Sequence, residues 1–200
     1  MEPFTRLTAI AIPIDQANID TDQIIPARFL GKPRPQQVAG FFHDMRLDPG
    51  GRPREGVTLN NPGYAGAKII VAGDNFACGS SRENAVTVMV DHGFRAFIAP
   101  SFGDIFFGNC FQNGVLPIRL PAERVARIRA ILHELPGAEI SIDLAGQTVL
   151  GPDGRSDRFE IDPFRKDCLL KGVDEVALTL GYEKEIGAFE ARQRQELSWL

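Results

Sequence analysis

The chain has 200 residues, 44% of them hydrophobic, enough to bury a sizeable core in one compact domain. Its 22 Lys and Arg are outnumbered by 26 Asp and Glu, giving a formal net charge of -4, and no long basic run offers the surface that nucleic acids need. Three cysteines without a Cys-x-x-Cys pair argue against a disulfide framework, and their scatter leaves no set of zinc or iron-sulfur ligands in this chain.

The opening Met1-Glu2-Pro3-Phe4-Thr5-Arg6 lacks the basic and then apolar pattern of a signal peptide, and no stretch approaches the roughly 20 apolar residues that span a bilayer. The expectation is a cytoplasmic protein with neither membrane nor nucleic acid among its partners. In chain order, alternating apolar residues over 7–14 predict a first strand, which residues 15–22 break with Asx-type turn chemistry. A turn led by Pro26 follows. Pro33 and Pro35 block regular structure, 36–45 is predicted as a helix, and 47–66, rich in Gly and Pro, as loop. Lys68-Ile69-Ile70-Val71-Ala72 is the β-branched run of a buried strand. The pattern then reads helical over 83–92, extended over 95–99, helical over 102–112 and extended over 115–120. That β-loop-α-β-α-β succession signals a layered α/β domain. A helix over 122–135, short antiparallel strands over 139–144, 148–150 and 158–161, and helices over 162–170, 173–180 and 183–197 complete the chain.

Gly79-Ser80-Ser81-Arg82-Glu83 falls where a strand turns into a helix. Backbone N–H groups at such a start point outward, reinforced by the helix dipole, and favour an anion. Gly73 and Gly79 permit a tight path, and Arg82 offers a planar fork matched to a carboxylate. The ordinary alternative makes Ser80 or Ser81 an N-cap, with Glu83 near the capping-box position and Arg82 solvated. Neither a Gly-Lys-Ser/Thr phosphate loop nor Gly-x-Gly-x-x-Gly occurs here.

The longer string, Gly73-Asp74-Asn75-Phe76 through Gly79-Ser80-Ser81-Arg82-Glu83-Asn84-Ala85, resembles the signature of the aconitase swivel domain. Two further blocks are similar to the isopropylmalate dehydratase branch of that family. They are Asn18-Ile19-Asp20-Thr21-Asp22-Gln23-Ile24-Ile25-Pro26, and Ala99-Pro100-Ser101-Phe102-Gly103-Asp104-Ile105-Phe106 continuing to Asn113-Gly114-Val115-Leu116-Pro117. The resemblance implies an α/β fold, a layered swivelling β/β/α domain of aconitase type with C-terminal helices. It implies a single domain over 1–200, with a motif core over about 10–120 and a helical extension over about 162–200. The implied activity is a hydro-lyase of leucine biosynthesis that interconverts 2-isopropylmalate and 3-isopropylmalate by dehydration and rehydration. The implied partners are a large subunit, without which this small one is inactive, and a small dicarboxylic acid substrate. No cofactor is expected in this chain; a 4Fe-4S cluster is expected in the large subunit.

Residue by residue, the resemblance makes Ser80 the catalytic base, makes Arg82 a catalytic residue that can favour the anionic form of Ser80, and places Gly79, Ser81 and Arg82 on a substrate carboxylate. It matches Asp22 to an active-site carboxylate that orients its neighbours, although Asp22 equally suits an Asx-rich turn. Arg28 and Arg34 fall where aconitase-like enzymes carry a substrate-reading loop, which makes Arg28 a further substrate-binding candidate. Ile24, Ile25, Phe29 and Leu30 are available as apolar walls for an isopropyl group, or as core. Ala77 and Asn84 depart from the Gly and His found in many relatives. Cys78 reads as a packing or loop residue, and His43, His92 and His133 as surface or capping groups without metal-ligand spacing. The rival readings are a related hydro-lyase acting on homoaconitate or citraconate, and a non-catalytic anion-binding module.

Overall fold

The computed structural model describes residues 1–197. Strands β1 (Arg6–Ile14), β2 (Ile69–Ala72), β3 (Ala96–Ala99), β4 (Leu116–Arg119), β5 (Glu139–Asp143), β6 (Thr148–Leu150) and β7 (Ser156–Arg158) form one sheet in the order β4-β3-β2-β1-β5-β6-β7. Strand β1 serves both halves. Residues 6–10 pair antiparallel with β5, and residues 11–14 pair parallel with β2. From β1 to β4 the ladder is parallel, and from β1 to β7 it is antiparallel.

The helices are α1 (Thr21–Ile24), α2 (Arg34–Gln37), α3 (His43–Arg46), α4 (Glu83–Asp91), α5 (Asp104–Gln112), α6 (Ala122–Glu134), α7 (Pro163–Lys171), α8 (Glu175–Leu180) and α9 (Glu183–Glu196). Strands β2 and β3 read Ile-Ile-Val-Ala and Ala-Phe-Ile-Ala, buried at every position, because both faces of a parallel sheet are covered. On one face Ile70, Ala72, Phe97 and Ala99 pack with Val86 and Met89 of α4 and Phe106 of α5. On the other, Ile69, Val71, Ile98 and Ile118 meet Val125, Ile128 and Leu132 of α6. The antiparallel half curls round so that Ile140, Ile142 and Val149 join this second core. Each fully buried isoleucine stabilises the fold by about 1.5–3 kcal/mol.

One charged residue is part of this packing. Arg124 on α6, 6% exposed, donates to Asp153 at 2.6 and 2.8 Å and to Asp157 at 2.5 Å, so it ties α6 to the β6–β7 hairpin. A Cβ on Gly151 would overlap its guanidinium.

Several predicted elements differ. Helix α1 begins at Thr21, inside the stretch expected as an Asx-type turn, and α2 begins at Arg34 with Pro35 in its first turn, where proline's missing N–H has no partner to lose. The helix expected over 36–45 is broken into α2, a 3-10 turn and α3, with Phe42 in the left-handed region at φ 43°. Phe41 and Phe42 are both buried, and a continuous helix would swing adjacent side chains about 100° apart; the left-handed step sends both inward. The strand expected over 158–161 lies at Ser156–Arg158, because the hairpin register pairs Leu150 with Ser156, and Phe159 then turns into the core. Helices α8 and α9 follow where expected, and residues 198–200 of the helical extension lie outside the described residues. Among the described residues no helix is long and apolar enough to cross a membrane.

Candidate active site

The loops that follow β1, β2 and β3 meet at the C-terminal ends of the parallel strands, where open α/β sheets usually bind ligands. The first two run side by side: Asn18 donates its N–H to the Asp74 carbonyl at 2.9 Å, and Asp20 and Cys78 form a parallel bridge. This approach needs Gly73, where a Cβ would stand 2.6 Å from the Gln16 carbonyl oxygen. Thr21 Oγ1 donates to the Ser80 carbonyl at 2.9 Å. The third loop closes on the second: Ser101 Oγ donates to Asp74 at 2.5 Å and accepts from the Asn75 N–H at 2.8 Å.

This interlocking holds Ala77 at φ 58°, a left-handed conformation that an L side chain adopts only at a cost. The Ala77→Gly variant is therefore expected to raise stability by about 0.5–1 kcal/mol, read as a higher denaturant midpoint at unchanged slope. A lower midpoint would show that the Ala77 methyl, buried in the core, outweighs its backbone strain.

Gly79, Ser80 and Ser81 are all exposed. Gly79, Ser80 and Arg82 line one side of an open cleft of about 400 Å³, and Gly103, Asp104 and Ile105 line the other. Ser81, on the same turn, stands outside that lining. Neither serine caps α4. The N-cap is Arg82, extended at φ -131° and ψ 103°, with no side-chain hydrogen bond to the helix start, so the ordinary-cap reading is set aside. Helix α5 likewise begins after Gly103 without a side-chain cap. Two nine-residue helices thus aim uncapped N-termini at one cleft, and their dipoles favour negative charge there. The share of α5 was missed from sequence. Its signal was available in Ser101-Phe102-Gly103-Asp104, a second strand-to-helix turn with glycine at the cap.

Arg82 lies deep, its side chain 18% exposed, and grips Asp22 through both nitrogens at 2.5 and 3.3 Å. Asp22 also accepts the Ala27 N–H at 2.9 Å, so it shapes the turn and orients the arginine at once. The Arg82 hydrogen bond holds the Asp22 carboxyl below its usual range, opposed mainly by partial loss of solvent and least by the neighbouring Asp44. The same bond raises the pKa of Arg82, which stays cationic.

Arg28 is not among the residues lining the cleft. Its guanidinium is committed to Asp44 and to His43 Nδ1 and lies over the Phe29 ring, 5.1 Å from its centroid. Arg34 pairs with Asp91. Ile24, Ile25 and Phe29 are core, so they do not wall the cleft, and Leu30 packs partly buried against them. The apolar surface present is instead Phe102, Ile105 and Phe106. Asn84 donates to Gln37 Oε1 at 2.8 Å, away from the cleft lining. Cys78 lines the cleft half-exposed, whereas Cys110 is buried in the core and Cys168 sits on α7. His92 stacks on Phe41, and His133 bonds Asp15. Among the described residues no three His, Cys, Asp or Glu side chains are grouped to hold a metal.

A curled β/β/α layer that presents an anion-directed turn on a cleft with one side open defines the swivel-domain class of aconitase-like proteins. Residues 1–123 match the family described as aconitase C-terminal domain, and residues 175–200 match the C-terminal domain of the 3-isopropylmalate dehydratase small subunit. The 3-isopropylmalate dehydratase small subunit of Rhodospirillum centenum is 48% identical over 200 residues, covering 100% of this chain and 98% of the relative. That of Leptospira interrogans is 47% identical over 206 residues, covering 100% and 98%. A crystal structure of a 3-isopropylmalate dehydratase from Methanocaldococcus jannaschii shares the fold, with a TM-score of 0.61 at 24% identity over 94% of this chain and 99% of that one. The chain belongs to the family of 3-isopropylmalate dehydratase small subunits.

Proposed function

We propose that this chain is the small subunit of a 3-isopropylmalate dehydratase of leucine biosynthesis, acting in the cytoplasm and only together with a large subunit. One observation carries the reading: Ser80 stands exposed on an open cleft beside a deep-set arginine and two uncapped helix starts. A hydroxyl removes a proton from carbon only as an alkoxide, and an ordinary alcohol is far too weak an acid to supply one. The helix N-termini and the Arg82 guanidinium favour the anionic form, more strongly once a second chain excludes water. Arg82, steadied by Asp22, holds a substrate carboxylate so that Ser80 addresses the adjoining carbon. Ile105, 53% exposed at the lip, offers an apolar contact for the isopropyl group.

The cysteines of this chain lie on a loop, in the core and on α7, too dispersed to ligate a cluster together. The 4Fe-4S cluster belongs to the large subunit, where it supplies Lewis-acid chemistry at the leaving hydroxyl.

Reconstitution with the large subunit tests the reading, by assaying isopropylmaleate formation against hydration of citraconate and cis-homoaconitate. Preference for isopropylmalate supports it. Turnover of either competitor alone would move the chain to a related hydro-lyase, and anion binding by the isolated chain with no activity on reconstitution would make it a binding module. In the same assay Arg82→Lys, which keeps the charge and loses the fork, is expected to raise KM by about 10- to 100-fold with assembly intact. An unchanged KM would remove Arg82 from the substrate.

A further inference from the structure

Helix α5 separates the catalytic cleft from a second groove of about 540 Å³ that the proposed chemistry does not use. Ile105 and Phe106 line the cleft, Phe107 and Phe111 line the groove, and the Phe102 and Phe107 rings lie 5.7 Å apart between the two. Three arginines border the groove: Arg119 at the end of β4, Arg158 at the end of β7 and Arg165 on α7. The Arg119 guanidinium sits over Phe107 at 4.1 Å from the centroid, and that of Arg165 over Phe111 at 4.7 Å.

Among the described residues none of these three side chains makes an ion pair, although the chain carries a net charge of -4 and nine other arginines do pair. The carboxylates in the same groove do not neutralise them: Asp162 caps α7 by accepting the Arg165 N–H at 3.0 Å, and Glu160 is exposed. A guanidinium held over a ring is positioned by its face, which leaves its N–H edges available to a carboxylate. Aromatic and arginine side chains together are also the composition of protein interfaces.

Position says what the groove meets. Arg119 is in register with Ala99, after which the 100–103 loop runs directly to the cleft. Groove and cleft therefore share the C-terminal edge of the parallel strands, and a chain that closes one extends over the other. We infer that the Arg119, Arg158 and Arg165 groove docks a carboxylate-bearing segment of the large subunit, an inference that rests on the two-subunit function proposed above.

The test uses the full chain and its large subunit, with Arg119→Glu, Arg158→Glu and Arg165→Glu combined. The dissociation constant is measured by calorimetry at low and high salt, and kcat at saturating large subunit. Expected are a dissociation constant at least about 100-fold weaker, a flattened salt dependence and kcat within about twofold of the parent. If circular dichroism shows the triple variant misfolded, single Arg→Gln variants replace it, each expected to weaken assembly about tenfold at low salt. An unchanged dissociation constant and salt slope overturn the proposal. So does a fall in kcat alone, or malonate binding to the isolated chain that the substitutions abolish while assembly is untouched. Ser80→Ala separates the two claims: retained turnover there would defeat the catalytic reading and leave the docking result standing.

Discussion

In the complex with its large subunit, Ser80→Ala is expected to lower kcat by about 100- to 10,000-fold, the range for loss of a positioned base. Assembly and thermal stability should stay within error of the parent. The structure makes this separation clean: the Ser80 hydroxyl forms no hydrogen bond among the described residues, and the turn is held instead through the Ser80 carbonyl by Thr21. Alanine keeps that carbonyl. Steady-state kinetics beside a binding isotherm decide the matter, and full activity in a correctly assembled complex would remove Ser80 from the chemistry.

The largest effect on stability is expected from Arg124→Ala, at about 3–5 kcal/mol, because it strips a buried cation from two carboxylates that stay behind. Thermal unfolding followed by circular dichroism reads it as a fall of several degrees at least. The pH dependence gives a second readout. Hydrogen bonding to Arg124 is the main cause that brings the Asp153 pKa from an ordinary 3.8 down to about 2. A carboxyl depressed in the folded state contributes stability that is complete above its unfolded pKa and lost as pH falls through the folded value. This part of the acid destabilisation, between roughly pH 4 and pH 2, should vanish in the variant. An unaltered acid profile would show that Asp153 takes no stability from Arg124.

Much of this arrangement was legible before any coordinates. Strands β2 and β3 announce themselves because a sheet buried on both faces demands unbroken apolar runs, and α4 because Ala85, Val86, Val88 and Met89 repeat on one face. Ser80 and Arg82 stand out as candidates because the turn that resembles the family signature gathers them within five consecutive residues. What escaped was set by partners far away in the chain. Arg28 was open to a role at the substrate until Asp44 and His43 proved to hold it, and Ile24 and Ile25 resemble pocket walls as readily as core until the phenylalanines cover them. The helix start at Gly103 can be read from its own turn, but that it faces the same cleft as Ser80 follows only once β2 and β3 lie side by side.

The division of β1 between two ladders bears on how the protein is made. Residues 6–10 find their partner only in β5, more than 120 positions later, so the first strand synthesised stays half unpaired until the chain has been extended through Asp143. During that interval a nascent chain exposes an open edge and an apolar surface that α6 and the last hairpins will later cover, a condition that invites aggregation. The stretch that matches the aconitase C-terminal domain ends at residue 123, before that edge is closed, so it cannot be cut out as an independent unit without leaving the first strand unsealed.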